Sequence, residues 1–266
     1  MLIAHLSDTH VSAPGQKTCG VAQMAENLVR CVENINALDP RPDIVVLSGD
    51  VTNAATCAEA RHAADILSSL AMPLFIVPGN HDDRKTLCDV FGDEICPANP
   101  QGFVDYVVEG YPLRIIALDT LAPGKPGGRI EGTRLDWLRD RLEEGDNLPT
   151  LLFAHHPPLK LGVPETDEDG FEGAGRLRDI VSFHPNIERF LCGHIHLHTT
   201  SRWCGTVVTT APSTGMQLTL DLKQKGASRF LLSDPGYLLH HWTPDRVLIT
   251  HPILLTELEG PFDFSG

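Results

Sequence analysis

Residues 1–10 read MLIAHLSDTH, and this stretch introduces a pattern that recurs along the chain. A short apolar run, Leu2–Leu6, stops at Ser7 and Asp8, with His10 following. The other runs that end in this way are 44–47 before Gly49-Asp50, 74–77 before Pro78-Gly79-Asn80-His81, 151–154 before His155-His156 and 190–192 before Gly193-His194. Short apolar runs bounded by such turns predict β-strands that are buried on both faces.

Helical spacing lies between these runs. Apolar residues within 21–38 recur at steps of three and four, which places them on one face of a helix. Similar stretches cover roughly 58–70 and 134–142. Strands and helices therefore alternate along the chain, and this order predicts an α/β fold.

The last part of the sequence has a different pattern. From about residue 203 to 266 it contains short strand-like segments, at 207–210, 217–222, 229–232 and 247–250. We expect this β-rich end either to complete a second sheet or to form an oligomerisation hairpin. No linker divides the chain, so we expect one domain over 1–266.

Composition and charge exclude several classes of function. The chain has 35 acidic residues against 21 Lys and Arg, a formal charge of -14, so we expect no nucleic-acid partner. The first apolar run has no basic segment before it and is too short to span a membrane, which predicts a cytoplasmic protein without a membrane partner. The seven cysteines form no C-x-x-C pair and indicate reduced thiols.

The polar residues at the strand ends are candidate metal ligands. Taken singly, each has an ordinary explanation, because Asp, Asn and Gly are common in turns and helix caps. Together they occupy the strand ends, where open α/β sheets bind their ligands. Imidazole, carboxylate and amide groups without a thiolate suit Mn, Fe, Co or Zn. The candidates are Asp8, His10, Asp50, Asn80, His155, His194 and His196.

In chain order these residues form the motifs D-x-H, G-D, G-N-H-D, H and G-H-x-H, complete from Asp8 to His196. This pattern resembles the calcineurin-like metallophosphoesterase superfamily. Within it the chain looks most like bacterial glycerophosphodiesterases and class III cyclic-nucleotide phosphodiesterases. The resemblance implies a four-layer α-β-β-α sandwich, in which two mixed sheets are flanked by helices.

The resemblance also implies a centre of two divalent or mixed-valence metal ions with Asp50 as the bridge. One ion would be held by Asp8, His10, Asp50 and His196, and the other by Asp50, Asn80, His155 and His194. The implied catalytic residues are His81, Asn80 and Asp50, and the implied substrate-binding residues are His81, Asn80 and His196.

The implied activity is hydrolysis of small phosphodiesters, either glycerophosphodiesters or cyclic nucleotides, by attack of a metal-bound hydroxide. Two divalent ions, two carboxylates and a hydroxide sum to about +1, which a diester monoanion would neutralise. The alternatives are a phosphomonoesterase of small molecules and a non-catalytic scaffold of the same fold. We also expect a homo-oligomer.

His81 is the residue that the resemblance assigns to the leaving group. In the protein phosphatases of the superfamily an Asp pairs with this histidine, but the matching position here is Asn53. A neutral partner holds a proton on His81 less strongly than a carboxylate would. Asn53 therefore favours an electrostatic or hydrogen-bonding role for His81 and speaks against a protein phosphatase.

Several further polar residues have structural explanations. We interpret His156 as structural, the 165–172 segment as a solvated loop, and Asp82 and Asp83 as caps of a helix that begins near Arg84. The histidines that we assign to the core or surface are His5, His62, His184, His198, His240, His241 and His251.

Overall fold

The computed structural model of the protein describes residues 1–145, 147–223, 228–256 and 262–263. Within these ranges no helix combines the length and the apolar character needed to cross a membrane. The elements, in order, are β1 (Leu2–Leu6), α1 (Met24–Ala37), β2 (Ile44–Leu47), α2 (Cys57–Leu67), β3 (Leu74–Ile76), α3 (Arg84–Phe91), β4 (Tyr106–Val108), β5 (Arg114–Leu118), β6 (Gly128–Arg129), α4 (Thr133–Glu144), β7 (Thr150–Ala154), α5 (Pro164–Asp169), β8 (Phe171–Glu172), α6 (Ala174–Ser182), β9 (Ile187–Cys192), β10 (Thr199–Trp203), β11 (Thr206–Thr210), β12 (Met216–Leu218), β13 (Phe230–Leu232), β14 (Gly236–Trp242) and β15 (Leu248–Leu254).

Two mixed sheets form the centre of the described structure. The first has the strand order β15-β14-β1-β2-β3, and the second has the order β10-β11-β9-β7-β5-β4. Parallel pairs join β1 to β2 and β2 to β3, while β14 runs antiparallel to β1. In the second sheet β5, β7, β9 and β11 are parallel, and antiparallel β4 and β10 form its edges.

Alternation along the strands produces the layers. On β1, Ala4 and Leu6 pack with α1, α2 and α3, whereas Ile3 faces the second sheet and packs with residues such as Phe153. On the outer face of the second sheet, Leu152 packs against α4 and α6. The order helix, sheet, sheet, helix follows, and the predicted α-β-β-α sandwich is confirmed.

The predicted helices are present, with small differences at their ends. α1 falls inside 21–38, α4 covers 134–142, and α3 begins at Arg84. α2 begins one residue earlier than predicted because Thr56 and Glu59 form a capping box at its start. The helical spacing in the sequence was therefore a sufficient guide to these elements.

The β-rich end divides between the two sheets. β14 and β15 extend the first sheet beyond β1, and β10 and β11 extend the second beyond β9. The strand predicted at 217–222 is wrong in extent, since β12 ends at Leu218 and pairs only with β13. The strands β4, β5, β6, β8, β10 and β14 were not predicted. The single domain over 1–266 stays a prediction.

The solvated loop predicted at 165–172 is wrong. Its residues form α5 and β8, and β8 pairs in parallel with β6. The Asp167 carboxylate accepts hydrogen bonds from the backbone N–H groups of Leu161 and Gly162, at 2.7 and 2.9 Å. An acidic run that looks like a surface loop is thus held by a short pair of parallel strands and by backbone hydrogen bonds.

Candidate metal centre

The candidate ligands follow the carboxyl ends of parallel strands from both sheets. Asp8, Asp50 and Asn80 follow β1, β2 and β3, and the candidate histidines of the second sheet follow β7 and β9. Left-handed backbone is concentrated here, with φ of 52° at Asp8, 39° at His10, 50° at Asp50, 71° at His194 and 54° at His196. Non-glycine residues rarely adopt this conformation, and it turns each chain sharply at the end of its strand.

Glycines allow the two sheets to approach at this edge. A Cβ atom placed on Gly193 would overlap the Ser7 hydroxyl and crowd the Asp8 carboxylate, and one on Gly79 would overlap the Asp50 carboxylate. Only glycine, which has no Cβ, allows so close a backbone approach at these two positions. It brings ligands of the two sheets within reach of one ion.

The first group of donor atoms comes from Asp8, His10, Asp50 and His196, which can all lie within 4.8 Å of one another. His10 Nε2 is 2.9 Å from His196 Nε2 and 3.5 Å from Asp50 Oδ2. His196 Nε2 is 3.4 Å from Asp8 Oδ1. Two imidazoles and two carboxylates around one point fit a divalent cation of the first transition row.

The second group is centred on the Asn80 side chain. Its Oδ1 lies 3.1 Å from His155 Nε2 and 3.1 Å from His194 Nδ1. His155 Nε2 is also 3.4 Å from Asp50 Oδ2, so Asp50 borders both groups. The structure thus brings all seven candidate ligands together, in the two sets that the resemblance implies.

Backbone carbonyls orient two of these histidines. His155 Nδ1 donates to the carbonyl oxygen of Ser48 at 2.7 Å, and His196 Nδ1 donates to that of Met216 at 2.6 Å. A carbonyl can only accept, so Nδ1 of each ring carries a hydrogen and Nε2 faces the donor group. Metal-binding histidines are commonly oriented by such partners.

Asp50 and His155 form a buried pair of opposite charges within the site. Burial by itself would raise the pKa of Asp50 and lower the pKa of His155, but their mutual attraction reverses both shifts. The pKa of Asp50 falls well below 3.8, and that of His155 rises to about 9. Burial lowers the pKa of His10 well below 6.5, which keeps it in the neutral form that binds metals.

His156 lies beside the second group but is engaged elsewhere. Its ring centroid is 4.7 Å from those of both His155 and His194. Its Nδ1 is 2.8 Å from the Thr120 hydroxyl oxygen, and its Nε2 is 3.0 Å from the carbonyl oxygen of Pro126. Both nitrogens therefore have protein partners, and we retain the structural interpretation of His156.

His81 stands at the edge of the first group. Its Nδ1 donates to the backbone carbonyl of Asn53 at 2.8 Å, and its ring meets that of His10 edge-on, with centroids 4.7 Å apart. Its backbone N–H donates to Asp50 Oδ1 at 2.8 Å. A neutral carbonyl, rather than a carboxylate, therefore orients this exposed imidazole.

The prediction that Asp82 caps a helix is wrong. Asp83 alone caps α3, by accepting from the N–H of Thr86. Asp82 is buried and accepts from the N–H groups of Gly79, Val51 and Thr52 and from the Thr52 hydroxyl. It thereby joins the turn that carries Asp50 to the turn that carries Asn80. Burial, followed by repulsion from Asp50, raises the pKa of Asp82 to about 6.

Sequence reasoning also missed Asp169. Asp169 is the last residue of α5, and its Oδ2 lies 3.5 Å from His194 Nε2. No local motif distinguishes it from the other acidic residues of 165–172. Only the folded arrangement of α5 and β9 identifies it.

The remaining histidines keep their structural interpretation. His5 lies between the sheets, with Nε2 2.8 Å from the Ser48 hydroxyl and Nδ1 3.3 Å from His240 Nε2. Burial lowers the pKa of His5 to about 3 and that of His240 well below 6.5. Among the described residues, the grouped metal-ligand candidates do not include His62, His184, His198, His241 or His251.

Comparison with known proteins agrees with this fold and site. The sequence model of the calcineurin-like phosphoesterases matches residues 1–198, and the chain belongs to that family. A probable glycerophosphodiester phosphodiesterase, GpdQ, of Arcobacter nitrofigilis is 33% identical over 265 residues, which are 99% of this chain and 97% of that protein. The 3',5'-cyclic adenosine monophosphate phosphodiesterase CpdA of Escherichia coli is 29% identical over 216 residues, 81% of this chain and 76% of that protein.

A solved structure supports the fold. A dimetal phosphatase from Danio rerio superposes with a TM-score of 0.65 at 14% identity, covering 96% of this chain and 99% of that one. The predictions of the family, of the fold and of a metal-dependent phosphodiester hydrolase are confirmed.

Proposed function

We propose that the protein hydrolyses small phosphodiesters at a two-metal centre, with glycerophosphodiesters as the first candidates. The observation that carries this proposal is the position of Asp50, whose Oδ2 lies 3.5 Å from His10 Nε2 in the first group and 3.4 Å from His155 Nε2 in the second. The seven ligands, the identity of the ions as Mn, Fe, Co or Zn, and the number of two are parts of the same proposal.

Each part of the site has a separate task. Two ions bound there would activate water and stabilise the charge on the phosphoryl oxygens. Asp50 keeps the two groups together, and Asn80 supplies an uncharged oxygen to the second. His81 is placed to hold or donate a proton at Nε2 when the alkoxide leaves, with its ring fixed through the Asn53 carbonyl.

Charge supports a diester over a monoester. The seven proposed ligands include two carboxylates, so a centre with two divalent ions and a hydroxide carries about +1. A phosphodiester monoanion balances that charge, and a monoester dianion exceeds it. Both bacterial relatives described above are also named as phosphodiesterases.

The glycerophosphodiester assignment is supported by the extent of the likeness. The GpdQ relative matches 99% of this chain, including the β-rich end, whereas CpdA matches 81%. Cyclic nucleotides are the second candidate class. The homo-oligomer, the cytoplasmic location and the substrate-binding role of His196 stay predictions, as does the absence of nucleic-acid and membrane partners.

Metal reconstitution tests the proposal. The protein is stripped of metal, reloaded with Mn, Co, Zn or Fe separately, and assayed on bis(p-nitrophenyl) phosphate and p-nitrophenyl phosphate. We expect activity to return with metal and kcat/KM to favour the diester. Preference for the monoester would contradict the proposal. A panel of glycerophosphodiesters and of 2',3'- and 3',5'-cyclic nucleotides then separates the two candidate classes.

A further inference from the structure

The ligand histidines do not all face the centre with the same nitrogen. His155 and His196 present Nε2 and donate Nδ1–H to backbone carbonyls. His194 is reversed, with Nδ1 3.1 Å from Asn80 Oδ1 in the second group. A neutral imidazole that binds a metal through Nδ1 carries its hydrogen on Nε2, so His194 needs an acceptor on its outer side.

The group that faces this outer nitrogen is a carboxylate. Asp169 Oδ2 lies 3.5 Å from His194 Nε2, and the Asp169 side chain is only 25% exposed. We propose that Asp169 is a positioning residue that accepts the Nε2 hydrogen of His194 and strengthens the binding of one metal ion of the pair. This proposal rests on the two-metal centre of the proposed function.

The β6–β8 strand pair holds the backbone next to Asp169. The N–H of Gly128 donates to the carbonyl oxygen of Gly170 at 3.1 Å, and that of Ile130 donates to the carbonyl oxygen of Glu172 at 3.0 Å. A Cβ atom placed on Gly127 would overlap the carbonyl oxygen of Asp169. The β6–β8 pair and Gly127 therefore set where the carboxylate can reach.

Asp169 also makes the two groups unequal. The outer nitrogen of His196, in the first group, meets the uncharged carbonyl of Met216, while that of His194 meets a full negative charge. A carboxylate makes the imidazole a stronger donor than a carbonyl does. Loss of Asp169 should therefore weaken the second group and leave the first unchanged.

Metal titration provides the test. Stripped wild-type protein, Asp169→Ala, Asp169→Asn and Glu168→Ala are titrated with Co²⁺, and binding is followed by calorimetry and by the visible absorption of the bound ion. In Asp169→Ala we expect one of two binding steps to weaken by about 10–100-fold, the usual effect of losing an outer partner of a ligand histidine. Asp169→Asn keeps an acceptor oxygen and should lose less.

Two control variants and an unfolding measurement separate the effect of the Asp169–His194 contact from the effects of net charge and of misfolding. Glu168→Ala removes the same charge from an exposed neighbour in α5 and should bind both ions as wild type does. Gly127→Ala keeps Asp169 in the sequence but displaces its backbone, and with it the carboxylate, and should reproduce the loss. Urea unfolding of each variant verifies that it is folded at the titration temperature.

The outcomes are distinct. Equal binding of both ions by Asp169→Ala and wild type, or an equal loss in Glu168→Ala, would overturn the positioning role. If wild type binds two ions but hydrolyses no phosphodiester, and Asp169→Ala binds one of them more weakly, the proposed function fails and the positioning role stands. If wild type hydrolyses diesters and Asp169→Ala binds normally, only the positioning role fails.

Discussion

Replacing Asp82 with Asn should loosen the junction between the turns that carry Asp50 and Asn80. The Asp82 carboxylate is buried and accepts four hydrogen bonds. One oxygen accepts hydrogen bonds from the N–H groups of Gly79 and Val51, at 2.9 and 3.1 Å. The other serves the N–H and hydroxyl of Thr52, both at 2.8 Å.

An amide cannot accept on both sides. If the oxygen stays with Thr52, two buried N–H groups lose their acceptor, and each costs about 1–3 kcal/mol. If the amide turns over, the Thr52 hydroxyl can rotate to accept from the new NH₂ group, and one N–H is left without an acceptor. The smaller of these losses sets the expected destabilisation at about 1–3 kcal/mol or more.

The measurement is urea unfolding of protein saturated with metal. Metal-free protein is less suitable, because there burial and the Asp50 carboxylate together raise the pKa of Asp82, and the substitution also relieves the repulsion between the two carboxylates. Asp83→Asn is the matched control, since Asn and Asp cap helices about equally well. If Asp82→Asn were no less stable than Asp83→Asn, within about 0.5 kcal/mol, the reasoning would be refuted.

Three further results are expected. His81→Ala should lower kcat on diesters by up to about 100-fold. Its metal content should not change, because His81 is not one of the seven proposed ligands. An unchanged kcat would contradict its role. Metal at about 100 times its Kd should raise the free energy of unfolding by about 2.7 kcal/mol per site, measured with and without chelator, and no shift would mean no folded metal site. Burial lowers the pKa values of His5 and His240, so both stay neutral in the folded protein. Their contribution to stability is therefore complete above pH 6.5 and is lost as the pH falls below it, because the unfolded chain then binds protons that the folded protein does not. Between pH 7 and pH 5, each of these two histidines should lower the free energy of unfolding by about 2 kcal/mol. The free energy of unfolding of His240→Leu should therefore depend less steeply on pH than that of wild type. Equal slopes would argue against a buried neutral pair.

The parts of the fold that the sequence predicts are those with local signals. Ile44–Leu47 is an uninterrupted apolar run because both of its faces are covered, and Leu2–Leu6 is apolar except for His5. Gly236–Trp242 was missed because His240 and His241 interrupt its apolar pattern. His240 is buried only because His5 and Thr250 supply its hydrogen-bond partners, and this pairing is not local in sequence.

At the site, too, residues with a local sequence signal were predicted, and residues that depend on distant partners were not. The candidate ligands were found because each one follows a strand and belongs to a family motif. Asp82 and Asp169 were misassigned because acidic residues near helix ends have common local explanations. Their partners, Val51 and His194, lie 31 and 25 positions away in sequence and meet them only after the sheets have formed.

The pairing of the first strand has a consequence for how the chain is made. The amino group of Met1 bonds to the carbonyl of Trp242, 241 positions later, and Leu2 pairs with His241. At about 5–20 residues per second, a ribosome needs roughly 10–50 s to synthesise the part of the chain between these two residues. During this time one edge of β1 has no strand to pair with, and open edges are prone to wrong association. Asp8 thus follows a strand that is among the first made and among the last to gain both of its neighbours.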